Sequence, residues 1–105
     1  MQKAGPILWR TLLNRAQAAL AEQDEYLSVL ESLPRDGSEP PPEREWRAAR
    51  ARFRQALIQL TRLADHASTP TTYQEQRVIS GLELQGRHRT ERWNRLQEES
   101  RLTGQ

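Results

Sequence analysis

The residues of this chain best suited to binding chemistry are its arginines. Fifteen of its sixteen basic residues are arginine, whose planar guanidinium binds carboxylates and phosphates through paired hydrogen bonds and stacks on aromatic rings. They concentrate in the stretch RAARARFRQALIQLTRLADHA at 47–67 and in GRHRTERWNRLQEESR at 86–101. Each stretch is a candidate surface for another protein or for nucleic acid.

The second stretch has two functional interpretations. Arginines interleaved with a tryptophan are typical of single-stranded nucleic-acid binding, in which an indole stacks on a base. Tryptophan and arginine are also enriched at protein interface hot spots, and apolar residues three and four apart are typical of a helix that docks in a groove. We favour a protein partner, because three glutamates share the stretch with a single tryptophan. The predicted partner-binding residues are Ile79, Leu82, Arg89, Arg92, Trp93 and Leu96.

A structural interpretation competes with both. In this interpretation Trp93 and Leu96 only cover the end of a helical hairpin. The spacing of three and four residues between the apolar side chains is equally compatible with this role.

The sequence lacks the residue patterns of common catalytic and metal sites. It contains no cysteine, which excludes disulfides, thiolate catalysis and cysteine zinc sites. His66 and His88 have no second histidine at i+4, and no glycine-rich phosphate loop or nucleophile elbow is present. We predict a protein that is not an enzyme and that uses no metal, cofactor or small-molecule substrate.

The net charge does not identify a binding partner, but the hydropathy pattern favours a cytoplasmic protein. The net charge of +2 is too small to predict nucleic-acid or membrane binding by itself. No apolar run approaches the ~18 residues of a membrane span, and the apolar patch at 6–9 lacks the cleavage site of a signal peptide. The prediction is a cytoplasmic protein that does not contact a membrane.

Proline divides the chain into three helical segments. Pro6 suits a helix start because proline in the first turn loses no intrahelical hydrogen bond, and Pro34 ends that helix. A capping box at Thr72 and Glu75 predicts the start of the third helix, with Thr69 as the alternative cap. The predicted boundaries are helix 6–33, a proline-rich loop 34–41, helix 42–67 and helix 71–101, within one domain at 1–105.

Apolar residues of the first two segments recur at alternating steps of four and three. Such repeats predict helices packed side by side, and similar lengths with a short connection favour an antiparallel hairpin. Only Gln23 interrupts this hydrophobic seam. The seam positions are Trp9, Leu13, Ala16, Leu20, Gln23, Leu27 and Leu30, and then Trp46, Ala49, Phe53, Ala56, Leu60, Leu63 and Ala67.

The arginine stripe of the second helix predicts the hairpin register. Arg47, Arg50 and Arg54 lie together beside the seam and would repel one another on an isolated helix. We interpret the stripe as intramolecular pairing between residues whose numbers sum to about 75 to 78. The pairs would be Asp24 with Arg50 or Arg54 and Glu31 with Arg44 or Arg47, which leaves Arg52 and Arg62 free.

The third segment has the weakest pattern. Its apolar stripe is interrupted by Gly86 and Arg89, and Gly81 lies nearby. Because glycine costs about 1 kcal/mol relative to alanine within a helix, we expect a bend near 81–86 or a second half that leaves the hairpin. The predicted fold is all-α: an antiparallel helical hairpin plus a third, partly irregular helix, as a three-helix bundle or a dimeric helical bundle.

These patterns predict an interaction protein. It would be a small adaptor, secretion-type chaperone or regulator that docks a helical segment of its partner through the third helix, and a thin core favours a homodimer. In size and pattern the chain is similar to the small helical export chaperones of bacterial flagellar and type III secretion systems. The alternative is a nucleic-acid-binding protein that uses the arginine-rich segment 87–101.

Overall fold

The computed structural model describes residues 5–34, 37–65 and 73–103, which form three α-helices. α1 spans Gly5–Ser32, α2 spans Glu43–Asp65 and α3 spans Tyr73–Thr103. Together they form an all-α three-helix bundle with dimensions of 60 × 19 × 14 Å. None of these helices has an apolar stretch long enough to cross a membrane.

Proline and glycine set the helix ends. α1 ends two residues before Pro34, and Gly37 then adopts a φ of 76°, which glycine reaches without steric cost. α2 begins where the Trp46 N–H donates to the Pro42 carbonyl oxygen at 2.9 Å. These ends differ from the predicted ones by one or two residues. The predicted end at 67 and the predicted caps at 69–72 lie outside the described residues.

α1 and α2 form the predicted antiparallel hairpin. Leu12 near the start of α1 shares a core cluster with Leu60 near the end of α2, whereas Leu30 packs with Trp46 at the start of α2. The predicted seam is also confirmed from Trp46 to Leu60 of α2, whereas Leu63 is half-buried and Ala67 lies outside the described residues. The buried residues of α2 are Trp46, Ala49, Phe53, Ala56 and Leu60.

α3 lies parallel to α1 and antiparallel to α2. Leu82 joins the core cluster that contains Leu12, and Trp93 joins the cluster that contains Leu30. The helix is uninterrupted from 73 to 103, and its second half stays on the hairpin. The alternative of a second half that leaves the hairpin is therefore wrong, whereas the bend expected near 81–86 stays a prediction.

Phe53 explains how α3 packs despite the glycine in its stripe. A methyl group at Gly86 would lie 2.4 Å from Phe53 Cε2 and 3.0 Å from Phe53 Cζ. Real side chains do not approach so closely, so the ring occupies the space that a side chain at position 86 would need. Glycine at this position therefore permits close packing of α3 on α2.

Candidate functional site

The six residues predicted to bind a partner lie along the face of α3 that packs on the hairpin. Leu82 and Trp93 are buried, and Ile79 and Leu96 are half-buried. The Trp93 ring stacks on Trp46, with centroids 4.6 Å apart and 2° between the planes. Trp93 therefore covers one end of the hairpin, as the structural interpretation expected. Whether these residues also bind a partner stays a prediction.

The two arginines of that set are paired with α1. Arg89 Nε donates to Asp24 Oδ1 at 2.8 Å, and Arg89 Nη2 donates to Asp24 Oδ2 at 3.0 Å. A third donor, Nη1, bonds the Gln85 carbonyl oxygen at 3.1 Å. Arg92 Nη2 lies 2.7 Å from Glu31 Oε2. Both guanidinium groups thus bridge α3 to other parts of the bundle.

These bridges correct the ion pairs predicted within the hairpin. Asp24 and Glu31 contact α3, because both lie on the side of α1 that faces the third helix. The prediction considered only two helices and so assigned both carboxylates to α2. The predicted pairs that are wrong are Asp24 with Arg50 or Arg54 and Glu31 with Arg44 or Arg47.

Arg52 is also corrected, since it was predicted to be free. Its Nη2 and Nε donate to the Glu22 carboxylate at 2.9 and 3.3 Å. The two residue numbers sum to 74, one below the predicted range. The expected hairpin register was therefore nearly right. The ion pair that shows it is Glu22 with Arg52 and not one of the predicted pairs. Arg47 instead pairs with Glu43, one turn earlier on its own helix.

Arg50 and Arg54 lie on one surface of α2, and neither has a carboxylate partner in the described residues. The outer side of α2 carries a shallow groove without an acidic residue, and Ile58 in this groove is 52% exposed. Within the described ranges, Arg50, Arg54 and the nearby Arg87 form no ion pair. We call this surface the α2 basic face. It comprises Arg47, Arg50, Ala51, Arg54, Gln55 and Ile58.

A cleft of about 300 Å³ lies between α2 and α3 beside the basic face. Three buried residues, one from each helix, form its floor: Gln23, Phe53 and Gly86. Because Arg50 and Arg54 line both features, the α2–α3 cleft and the α2 basic face are one continuous surface. The remaining lining residues are Leu57, Glu83, Arg87, Thr90 and Glu91.

Gln23 is the unusual residue of this cleft. Its exposed fraction is 0%, and neither Oε1 nor Nε2 has a hydrogen-bond partner within the described parts of the chain. An unsatisfied buried polar group costs about 1–3 kcal/mol. In the sequence, Gln23 stands out only as an interruption of the seam. A polar residue at a predicted core position was the available signal, and no role was assigned to it.

No other chemistry is apparent in the described residues. They contain no group of three or more His, Cys, Asp or Glu that could hold a metal ion. His88 is exposed, and His66 lies outside the described ranges. In comparisons with protein-family models, curated proteins and solved structures, nothing matches this chain.

Proposed function

We propose that this protein is a non-enzymatic interaction module that binds an acidic helical segment of another protein on the α2 basic face. The supporting observation is that two neighbouring arginines of one groove lack ion pairs, whereas three arginines elsewhere in the bundle are paired. Arg52, Arg89 and Arg92 each bind a carboxylate of α1. Arg50 and Arg54, by contrast, have no carboxylate partner in the described chain. A partner with carboxylates would supply what this surface lacks.

The shape of the surface favours a helix as the partner. Arg47, Arg50, Arg54 and Ile58 follow one another at steps of three and four, which places them on a straight stripe roughly 16 Å long. A second helix with carboxylates at the same spacing matches this stripe along its length. Arginine beside an exposed aliphatic residue is a composition that protein interfaces use.

The burial of Trp93 weighs against nucleic acid, the alternative function. Its ring is 4% exposed and stacked on Trp46, so it offers no free face to a base. Arg89 and Arg92 are engaged by carboxylates. Single-strand binding needs an accessible aromatic ring as well as unpaired cations, and the described part of the segment 87–101 offers no accessible aromatic ring.

The general role that we propose is the one predicted from the sequence, an adaptor, chaperone or regulator in the cytoplasm. The docking surface that we propose is the α2 basic face and not the apolar stripe of α3, because the side chains of that stripe pack on the hairpin. A homodimer, in which a second copy supplies the carboxylates, is the competing arrangement.

The test is a selection of displayed amphipathic helical peptides, randomised at their surface positions, against the immobilised full-length protein. We expect binders enriched in Asp and Glu. The variant Arg50→Glu/Arg54→Glu should instead select Lys and Arg, because the sign of the surface is reversed. A matched control, Arg10→Glu/Arg62→Glu, changes the net charge equally at two exposed arginines outside the site and should select the same acidic peptides as the wild type.

Three outcomes would contradict the proposal. The first is a wild-type selection without acidic enrichment. The second is an acidic enrichment that survives the reversal at 50 and 54. The third is a fluorescent single-stranded oligonucleotide that binds the wild type with a steep salt dependence between about 50 and 200 mM while no peptides are selected. Light scattering on the protein alone would identify a dimer as the occupant.

A further inference from the structure

We infer that Gln23 is a specificity-determining residue of the α2–α3 cleft, where its amide pairs with an Asn or Gln side chain of the bound helical segment. This inference rests on the proposed function and names the chemistry of one contact within it. The electrostatic binding proposed for the α2 basic face does not itself involve Gln23.

The seam position of Gln23 favours an apolar residue rather than an amide. This residue lies on the α1 seam between Leu20 and Leu27, which belong to two separate core clusters, and Gln23 belongs to neither. Ala49 of α2 and Gly86 of α3 are also buried in this part of the bundle. An apolar side chain would continue the seam and join the clusters, so the polar residue interrupts an otherwise uniform core.

The unsatisfied atoms specify the ligand chemistry. The large majority of buried side-chain polar atoms in proteins have a hydrogen-bond partner, but both polar atoms of Gln23 lack one within the described residues. Nε2 is a donor only and Oε1 an acceptor only. A carboxylate would satisfy just the donor, and an ammonium group just the acceptor. A primary amide satisfies both, through two parallel hydrogen bonds.

The cleft brings a ligand side chain next to this amide, because Gln23 lines it although the side chain is 0% exposed. Direct contact requires the side chains that line the cleft to move aside. The cleft volume of about 300 Å³ exceeds the ~30 Å³ share of one water molecule and leaves room for a side chain. Arg50 and Arg54 line it as well as the basic face. A helix held by its carboxylates on these arginines can therefore direct a neighbouring side chain toward Gln23.

The experiment repeats the peptide selection with Gln23→Met, which keeps the length of the side chain and removes its hydrogen-bonding atoms. Wild-type selections should enrich Asn or Gln at one peptide position, and Gln23→Met should lose that enrichment while keeping the acidic one. A selected peptide should bind Gln23→Met about tenfold more weakly, the equivalent of one net hydrogen bond. Replacing its amide residue with Leu should remove most of that difference.

The matched control is Gln17→Met, an exposed glutamine on the same helix that lines neither the cleft nor the basic face. It should bind selected peptides as the wild type does. Independently of any variant, the side-chain NH₂ resonances of Gln23 should shift in NMR spectra when a selected peptide is added to the wild-type protein. This second measurement keeps the test decisive if Gln23→Met fails to fold.

The possible failures are distinguishable. If acidic residues are not enriched, the proposed function itself is wrong. If acidic enrichment occurs without an amide preference, or if Gln23→Met binds amide-containing peptides with undiminished affinity, only the inference about Gln23 is overturned. Unchanged Gln23 NH₂ resonances in the peptide complex would overturn it equally, and would indicate that water satisfies the amide.

Discussion

The α1–α2 interface and the interface that attaches α3 are built differently. The first is the more extensive, and it repeats leucine and alanine from Leu12 to Leu30 with an interruption at Gln23. The second includes three local contacts that join α3 to the hairpin: Phe53 in the space beside Gly86, Trp93 on Trp46, and Arg89 on Asp24. A repeating seam distributes its stability over many residues, whereas single substitutions should be able to detach α3. The following variants test that difference.

The largest effect should come from Trp93→Ala. Truncating a buried aromatic residue costs about 3–5 kcal/mol, and this ring also stacks on Trp46. We expect the free energy of unfolding, measured by urea denaturation with circular dichroism, to fall by that amount. Leu84→Ala on the same helix is the control, because Leu84 is 47% exposed and should lose less than about 1 kcal/mol. Equal effects of both variants would contradict the described packing of α3.

The two glycines of α3 should respond to alanine with opposite signs. Gly81→Ala meets nothing within 4 Å and should raise the free energy of unfolding by about 0.5–1 kcal/mol through helix propensity. Gly86→Ala gains the same propensity but pushes against the Phe53 ring, and overpacking costs about 1–3 kcal/mol. Thermal unfolding of the two variants measures the difference between their stabilities. If Gly86→Ala is as stabilising as Gly81→Ala, the tight contact with Phe53 does not exist.

Gln23→Met should stabilise the protein. It replaces an amide without partners by an apolar side chain of similar length, and it removes a penalty of about 1–3 kcal/mol. The midpoint of denaturation should therefore rise, while Gln17→Met at an exposed position leaves it within about 0.5 kcal/mol of the wild type. A marked loss of stability in Gln23→Met would show that the amide is satisfied in the folded protein.

The smallest effect is expected for the bridge between α1 and α3. Asp24 and Arg89 form a bidentate pair, but the Asp24 side chain is 54% exposed, so solvent screens the interaction. We expect Asp24→Asn to cost only about 0.5–1 kcal/mol and to cost less at high salt. The neighbouring Glu25→Gln, at an exposed position, should change the midpoint hardly at all. A salt-independent loss in Asp24→Asn would indicate a role other than ion pairing.

The hairpin was predictable because its information is local and repeated. The steps of four and three identify Leu20, Leu27, Phe53 and Leu60 as core residues, and each of them is buried. Prolines near the helix ends then place the boundaries to within one or two residues. No knowledge of a third element is required for either conclusion.

The placement of α3 was harder to predict because its contacts join residues far apart in the chain. Asp24 has suitable arginines on two helices, and only the three-dimensional arrangement selects Arg89. Gly86 weakens an isolated helix, yet in the bundle it is the position that accepts Phe53. The α2–α3 cleft was missed for the same reason, since it exists only once both helices have packed.

The stacked indoles of Trp46 and Trp93 give the protein an intrinsic optical reporter. Each ring covers a face of the other, so separation of α3 would expose both to water together and shift their emission to longer wavelengths. Trp9 belongs to the other core cluster and would keep its surroundings if only that end of the bundle opened. Unlabelled protein can therefore show whether a ligand leaves the third helix docked.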